Sequence, residues 1–519
     1  MIHLAFIFHM HQPYYKDLLT HETDLPWVRL HGVKDYLDMA LMLKDFPKIK
    51  LTFNVVPSLL EQIIDYTNRN IKDRYLELSY KKAKDLTSSE KAFILNNFFS
   101  INKEKVIAYF PRFYELYLRK QNKQEFNTQD YLDLQVWFNL AWIDPSFRES
   151  YPELRNIVNK GRLYTEEDKH IVLDKQLIIL EEIIPTYKKL AKRGQIELSV
   201  TPYYHPILPL LCSTNSAKEA NLKSLLPKSE FRYPADAKFQ IESAVKFYHD
   251  KFAIPAQGMW PSEESVSESI LPFIINSGIN WIVTDEAILF KSLKKKKRDT
   301  ALLYQPHLLS REEGKLNVVF RDRNLSDLFG FVYHSWKAEN AVDDFIKHLT
   351  NINKAFSKDD ILVTLAMDGE NAWEYYTNDG HDFLELLYTR LSESHFINTT
   401  TVTDYLKDHP AKSKIKHLTA GSWIYGNFDK WMGNPYKVKA WDWLLEARKE
   451  LDNLGSDITK EKEALAWKQI YIAEGSDWFW WYGEDPDGSF DKLFRRHLTN
   501  FYIIINKNPP DYLNSPLNP

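Results

Sequence analysis

Two acidic residues directly follow a long apolar run, and this position suggests chemistry. The stretch ILVTLAMDGENAWEYY begins at Ile361 and runs into Asp368, Gly369 and Glu370. A carboxylate at the end of a buried strand can transfer a proton or attack an electrophile. The alternative is a strand-to-helix turn with solvated acids, but it leaves the neighbouring ring of Trp373 without an explanation.

A second pair of acids follows an aromatic residue in GMWPSEESVS. Trp260 ends an apparent strand, Pro261 and Ser262 turn the chain, and Glu263 and Glu264 come next. A serine cap followed by acids is typical of the first turn of a helix, so one interpretation is purely structural. The tryptophan at the strand edge favours the other interpretation, in which an acid stands beside a ligand.

The first strand ends in a third candidate, FHMHQPYY. His9 and His11 are two residues apart, so on a strand they point to the same side. They could belong to a metal site, form a clamp for sugar hydroxyls, or be hydrogen-bonded histidines at a strand end. A metal site would need a third protein ligand.

Glu263 and Asp368 follow different predicted strands. In parallel α/β architectures the carboxyl ends of the strands meet at one edge, where ligands bind. Two carboxylates that face each other across a gap are typical of a glycosidase. One attacks the sugar or acts as a base, and the other donates a proton. For retention of anomeric configuration they should lie about 5–5.5 Å apart.

The elements that must position these residues are short apolar runs alternating with helical patterns. Near-continuous apolar strands are typical of a parallel sheet covered on both faces, and the alternation with helices indicates a barrel or a doubly wound sheet. The predicted strands are HLAFIF, KLTFNVV, IELSV, WIVT, LNVVF and ILVTLAM.

Two long regions have helical periodicity. Residues from about 59 to 190 carry no convincing strand and are predicted to form a helical insertion between two strands. After about residue 409 the pattern is helical again. We therefore predict a catalytic domain over 1–409 and a C-terminal helical domain over 410–519 that contributes to a substrate groove.

The composition excludes several classes of function. With 67 basic and 71 acidic residues the formal net charge is -4, which argues against nucleic acid or an anionic membrane as the main partner. The single cysteine, Cys212, excludes an internal disulfide and a cysteine-based metal site. The apolar start of the chain lacks the features of a signal peptide, so a cytoplasmic location is predicted.

The chain also resembles a known family, the glycoside hydrolases of family 57, which act on α-glucans. Five motifs occur in the family's order: HMHQPYY, GQIELSVTPYYHPILPL, GMWPSEESVS, LAMDGENAWEYYTNDG and TVTDYL. Two later stretches, GSWIYGNFDKWMGN and EGSDWFWWYGED, resemble the helical domain of the amylase and amylopullulanase branch. The resemblance implies an incomplete seven-stranded (β/α) barrel followed by a helical bundle.

The resemblance also implies a retaining double displacement and a role for individual residues. Glu263 would be the nucleophile and Asp368 the general acid and base, so Asp368 should be buried and hold its proton beside the negative charge of Glu263. Glu370 would support the site by hydrogen bonding. The implied substrate-binding residues are His9, His11, Trp260, His205, Glu370, Trp373, Trp423, Trp431 and Asp477.

His205 departs from one pattern of the family. Glucanotransferases of the family carry a glutamate in the second motif, where this chain has YYHPIL, so the departure favours the amylase-like branch. The implied function is cleavage of α-1,4 bonds, with α-1,6 bonds as a further candidate, in an α-glucan polysaccharide or maltooligosaccharide. No cofactor or metal is predicted. The alternatives are a 4-α-glucanotransferase or branching enzyme with the same residues, a metal-dependent α-mannosidase or deacetylase on a related barrel, and a glucan-binding protein without catalysis.

Overall fold

A barrel of parallel strands forms the centre of the protein. A computed structural model describes residues 1–370, 372–455, 458–484 and 488–517. Within these residues seven parallel strands, numbered in chain order, surround the core. They are β1 Ile2–Met10, β2 Leu51–Val55, β3 Ile196–Val200, β4 Gly258–Met259, β5 Trp281–Asp285, β6 Gly314–Arg321 and β7 Ile361–Asp368.

The order of the strands closes the sheet into a barrel. The strands β1 to β6 pair in sequence order, and β7 pairs with β1. A single residue pair, Thr364 with Arg321, links β7 to β6 and completes the ring. The predicted seven-stranded barrel is therefore confirmed, and the described residues form no doubly wound sheet.

The barrel forms because its strands are apolar on both faces. In β1 all residues from Leu4 to Met10 are buried, and in β7 all residues from Ile361 to Met367 are buried. Such strands bury one face inside the barrel and the other against surrounding helices. Polar side chains, among them His9 in β1 and Asp368 in β7, lie near the carboxyl ends of the strands.

Short strands extend or accompany the barrel. His307–Arg311 pairs antiparallel with β6, Ser413–Lys414 pairs with His307–Arg311, and Ile397–Thr399 pairs with β1. Glu22–Thr23 and Lys72–Asp73 form a separate two-stranded sheet. Helices also follow the individual barrel strands. They are Trp27–Gly32, Asp38–Met42, Leu208–Cys212, Ser216–Ala220, Pro234–Phe252, Leu271–Asn276, Glu286–Ser292, Thr300–Leu303, Arg323–Asp327, Ala338–Ala355, His381–Glu393 and Val402–Asp408.

A long helical segment lies between β2 and β3, as the periodicity of this region indicates. Its helices are Pro57–Thr67, Arg74–Tyr80, Ser88–Asn97, Pro111–Gln121, Thr128–Trp142, Pro145–Ser150, Pro152–Lys160 and Glu166–Lys192. The chain after residue 414 also folds into helices. They are Asp429–Met432, Pro435–Asp452, Lys460–Ala473, Ser476–Trp481 and Ser489–Ile504.

The C-terminal helices contact the carboxyl edge of the barrel. The backbone N–H of Ser476 donates to the carbonyl of His205 at 3.0 Å, and Pro206 and Gly475 form an isolated bridge. The strand Ser413–Lys414 joins the sheet beyond residue 409, and the division of the chain into domains at that residue stays a prediction. Among the described residues, no helix combines the length and the apolar character that crossing a bilayer requires.

Candidate active site

The loop after β4 holds Glu263 in an uncommon backbone conformation. Glu263 has a φ of 57° and Glu264 a φ of 51°, both in the left-handed region, which costs energy for residues with a Cβ atom. A short 3₁₀ turn, Ser262–Glu264, replaces the regular helix that the capping interpretation requires, and no side chain caps it. The idea that these acids open a helix is therefore wrong, and the strained loop instead directs Glu263 toward the barrel edge.

Glu263 receives a hydrogen bond from a distant tryptophan. The indole Nε1 of Trp423 donates to Oε2 of Glu263 at 2.8 Å. Burial raises the pKa of Glu263 from 4.5 to about 7, although this hydrogen bond lowers it, and the Asp368 and Asp477 carboxylates add to the rise. Glu263 and Asp368 therefore lie near enough to interact electrostatically.

Asp368 occupies a different environment at the end of β7. It lies opposite His9 in the pairing of β1 with β7, and its side chain is exposed. The expectation that Asp368 is buried is therefore wrong. The physical reason is that Asp368 is the last residue of β7 at the carboxyl edge of the barrel, where the described residues leave its side chain exposed.

The two residues after Asp368 pack beneath it. A Cβ atom on Gly369 would lie 2.3 Å from the Sδ atom of Met10, so a larger residue here would require the Met10 side chain to move. Glu370 is buried, and its Oε1 accepts a hydrogen bond from the backbone N–H of His11 at 3.2 Å. Burial raises the pKa of Glu370 well above its usual value, and the Asp368 charge raises it further. Glu370 therefore helps to position the first motif through its hydrogen bond with the backbone of His11.

The histidines of the first and second motifs form a stack with Trp260. The ring of His9 lies 4.8 Å from that of Trp260 at an interplanar angle of 12°. The ring of His205 lies 5.1 Å from that of His9 and 3.9 Å from that of His11. His205 is buried and has a positive φ of 57°. The second motif thus contributes a ring to the stack.

Hydrogen bonds fix the protonation of His9. Its Nδ1 lies 2.6 Å from Oδ1 of Asn54, which also accepts from the hydroxyl of Thr201 at 2.7 Å. Since that oxygen is an acceptor, His9 carries its proton on Nδ1 and presents Nε2 as an acceptor. Burial lowers the pKa of His9 to about 3, so the ring is neutral at pH 7.

The C-terminal region completes the site. Oδ1 of Asp477 lies 2.8 Å from Nε2 of His11, and the hydroxyl of Ser476 lies 2.9 Å from Nδ1 of His205. The same Nδ1 lies 4.0 Å from Oε1 of Glu263. The structure therefore gathers residues from both ends of the chain around Glu263.

Three side chains in the cleft carry atoms that could act as metal ligands. One ligand atom each from His11, His205 and Asp477 lie within 4.8 Å of one another. The two imidazole rings are stacked at 20°, so their lone pairs run side by side rather than converge on one point. This arrangement favours a hydrogen-bonding clamp for hydroxyl groups.

Two tryptophans predicted to bind sugar lie in the interior. Trp373 is 1% exposed, packs against Phe8 and Tyr376, and donates from Nε1 to the carbonyl of Gly369. Trp431 is 0% exposed. Both rings are packed in the interior, and their part in sugar binding stays a prediction. Trp373 instead supports the loop that follows Asp368.

Three contributors were missed in the sequence. Asn54 stood out as a polar residue inside the apolar run KLTFNVV, and this was a usable signal. Ser476 gave no comparable signal. Arg321 ends β6, and its guanidinium lies 5.2 Å from the ring of Trp423, where it helps to hold that ring over Glu263.

Comparison with known proteins gives a consistent result. The chain matches the model of glycosyl hydrolase family 57 over residues 5–417. It is 26% identical over 316 residues to alpha-amylase 1 of Dictyoglomus thermophilum, an alignment that covers 59% of this chain and 38% of the relative. The aligned part thus spans well under half of that relative's length.

Solved structures of low sequence identity have the same fold. A branching enzyme from Thermococcus kodakaraensis superposes with a TM-score of 0.60 at 14% identity, covering 97% of this chain and 90% of the other. The alpha-amylase AmyC from Thermotoga maritima gives a TM-score of 0.60 at 13% identity, covering 97% and 93% of the two chains. Because the family model covers most of the sequence, this chain belongs to glycosyl hydrolase family 57.

Proposed function

We propose that this protein is a retaining glycoside hydrolase that cleaves α-1,4-glucosidic bonds in α-glucans, with α-1,6 bonds as a second candidate substrate. The observation that carries the proposal is that Glu263, on the loop after β4, and Asp368, the last residue of β7, lie at the same carboxyl edge of the barrel, where Trp423 donates a hydrogen bond to Glu263. Two interacting carboxylates in one cleft provide a nucleophile and a proton donor. Membership of family 57 and the amylase relative support the choice of substrate.

In the first half of the reaction, ionised Glu263 attacks the anomeric carbon. The bond between that carbon and the leaving oxygen breaks, a bond to the Glu263 carboxylate forms, and Asp368 gives its proton to the leaving oxygen. A bound sugar would cover the exposed Asp368 and, by removing water, favour its protonated form. The proton would then reside on Asp368 and the charge on Glu263.

In the second half, the charges are reversed. The covalent ester removes the negative charge of Glu263, so Asp368 ionises more readily and can take a proton from water. The water oxygen attacks the anomeric carbon from the face that the leaving group vacated. Two inversions give net retention, and Glu263 leaves as a free carboxylate.

The ring stack and its polar atoms fit recognition of the sugar in the cleft. His9 presents Nε2 as an acceptor, whereas His11 and Asp477 form a pair that can exchange hydrogen bonds with hydroxyls. Trp260 lies behind His9 and shapes the apolar wall. We assign substrate binding to these side chains, to His205 and to Trp423.

The direct test is an analysis of products from amylose, pullulan and maltooligosaccharides. Proton NMR of the first product should show the α-anomer before mutarotation, together with an increase in reducing ends. An initial β-anomer would refute the retaining mechanism. Tight binding of amylopectin with no new reducing ends and no chain transfer would instead support the binding-protein alternative.

A second candidate is transfer of the glucan chain to another glucan, as in a branching enzyme or 4-α-glucanotransferase. The observation that favours it is the similarity of the fold to the branching enzyme from Thermococcus kodakaraensis. The covalent intermediate would be the same, and a sugar hydroxyl would replace water. Longer or branched products without a rise in reducing ends would identify this activity.

The metal-dependent alternative is not favoured by the family match. Removal of metal with a chelator separates it from the double displacement, which depends on Glu263 and Asp368 alone. We expect activity on soluble starch to survive dialysis against the chelator. Loss of activity that is restored by a divalent ion would revive the alternative.

A further inference from the structure

Three potential metal ligands meet at the amino edge of the barrel, opposite the candidate active site. His3 is the second residue of β1, and Asp360 directly precedes β7. His409 directly follows the helix Val402–Asp408. Because β1 and β7 are parallel, their amino ends lie at one edge and their carboxyl ends, with His9 and Asp368, at the other. The cluster is therefore separate from the glucan cleft.

The distances in this cluster are too long for hydrogen bonds but suit ligands around one ion. Nε2 of His3 lies 4.0 Å from Oδ1 of Asp360, and Nε2 of His409 lies 3.7 Å from Oδ2. One ligand atom from each of the three residues lies within 4.8 Å of the others. Around a tetrahedral zinc ion with bonds of about 2.0–2.1 Å, neighbouring ligand atoms are about 3.3 Å apart. Small side-chain rotations would bring the three groups to that spacing.

The imidazole rings are oriented differently from those in the cleft. The rings of His3 and His409 are 4.8 Å apart and inclined at 57°. Both direct Nε2 toward the same carboxylate, so their lone pairs can converge on one ion. Tyr405 holds this arrangement because its ring stacks on His409 at 4.5 Å and meets His3 edge-on at 5.1 Å.

The three side chains also have suitable donor atoms for a divalent transition metal. Two imidazoles and one carboxylate are a donor set for zinc and for related divalent ions such as cobalt and nickel.

Access to the cluster is open from solvent. The side chain of Asp360 is 53% exposed, so an ion can enter and keep water as a fourth ligand. The amino group of Met1 lies 3.2 Å from Oδ1 of Asp360 and competes for that oxygen. Oδ2 of Asp360 faces His409, so the carboxylate can bind an ion through Oδ2 while Oδ1 contacts the amino group of Met1.

We propose that His3, Asp360 and His409 form a binding site for a divalent transition-metal ion of the zinc class. The ion would join the amino end of β1, the residue before β7 and the end of the helix Val402–Asp408. These segments are far apart in sequence, so an ion that binds the folded protein alone would stabilise it. The site would not take part in the reaction at the carboxyl edge.

The experiment uses the full chain after removal of metal with a chelator. Titration calorimetry with zinc sulfate should show one ion per chain at this site, and cobalt should give the visible absorption of a low-symmetry complex. The variants His409→Ala and Asp360→Asn should weaken zinc binding by at least about tenfold, since each removes one of three protein ligands. Zinc should raise the melting temperature of the parent protein and leave its activity on soluble starch unchanged.

A matched control is His348→Ala. His348 lies 3.4 Å from Asp344 on a helix surface and has no third ligand in the clusters found among the described residues. We expect this variant to bind zinc like the parent. The proposal is overturned if zinc does not bind, if His409→Ala binds it with parental affinity, or if binding is lost only when His11 is replaced.

Discussion

The two proposed catalytic carboxylates occupy regions that differ in almost every physical respect. Glu263 lies on a loop with left-handed backbone angles, beneath the indole of Trp423. Asp368 ends a regular strand and is exposed. The difference shows that the barrel supplies the common edge, whereas loops and the C-terminal region supply the environment. Burial raises the pKa of Glu263 to about 7.

The largest expected effect comes from removing either carboxylate. Glu263→Gln and Asp368→Asn keep the size of the side chain but remove its ability to attack or to transfer a proton. We expect each to lower kcat on soluble starch by about 10³-fold or more, measured as release of reducing ends. The exposed Glu393→Gln is the matched control, and circular dichroism should be unchanged in all three. Near-parental turnover in either catalytic variant would contradict the assignment.

The next effect concerns stability and separates two tryptophans that the sequence treated alike. Trp373 is enclosed by Phe8 and Tyr376, so Trp373→Ala should lower the free energy of unfolding by about 3–5 kcal/mol. Trp423 is only partly buried and bonds to Glu263, so Trp423→Ala should act more on kcat. Urea unfolding and steady-state kinetics measure the two effects. If Trp373→Ala were as stable as the parent protein but raised KM alone, the interior role of Trp373 would be contradicted and sugar contact supported.

A smaller effect on stability tests whether folding raises the pKa of Glu263. The pKa of Glu263 rises from 4.5 to about 7 on folding, so the folded state holds a proton that the unfolded chain has lost. The parent protein therefore loses stability as the pH rises from 4.5 to 7. Since glutamine does not titrate, Glu263→Gln should be more stable than the parent by up to about 3 kcal/mol above pH 7.

The stability difference should vanish below pH 4.5, where the glutamate is protonated in both states. Thermal or urea unfolding at pH 4, 6 and 8 measures it, with Glu393→Gln again as control. A difference that does not change with pH would show that Glu263 does not have a raised pKa.

The smallest expected effect is a change in pH dependence. The indole of Trp423 lowers the pKa of Glu263, so Trp423→Phe should raise that pKa above about 7. Loss of a hydrogen bond to a charged group corresponds to about one pKa unit. The acidic limb of kcat/KM should therefore move to higher pH by about that amount. Trp467→Phe, which alters a ring packed on Tyr471, should leave the limb in place.

Much of the fold could be predicted because it depends on local patterns. Each apolar run with buried-strand character became a barrel strand, including HLAFIF in β1 and ILVTLAM in β7. The rule that parallel strands share a carboxyl edge then predicts that Glu263 and Asp368 approach each other. The barrel itself followed from the resemblance, since the runs alone allowed a doubly wound sheet.

The rest could not be predicted because it depends on contacts between distant parts of the chain. Asp477 contacts His11 across a separation of 466 residues, and Trp423 contacts Glu263 across 160 residues. No periodicity encodes such pairs, or the left-handed backbone of Glu263. The burial of Trp373 could not be predicted either. An aromatic residue beside a catalytic motif gives the same sequence pattern whether its ring faces the core or the cleft.

The most direct test of the central claim uses azide with two glycine variants and maltosyl fluoride of α configuration. This fluoride is a good leaving group and needs no proton. If Glu263 is the nucleophile, Glu263→Gly should let azide enter its place and give β-maltosyl azide in a single inversion. If Asp368 is the acid and base, Asp368→Gly should still form the covalent intermediate and give α-maltosyl azide. NMR assigns the two anomers, and an α product from Glu263→Gly or a β product from Asp368→Gly would contradict the account.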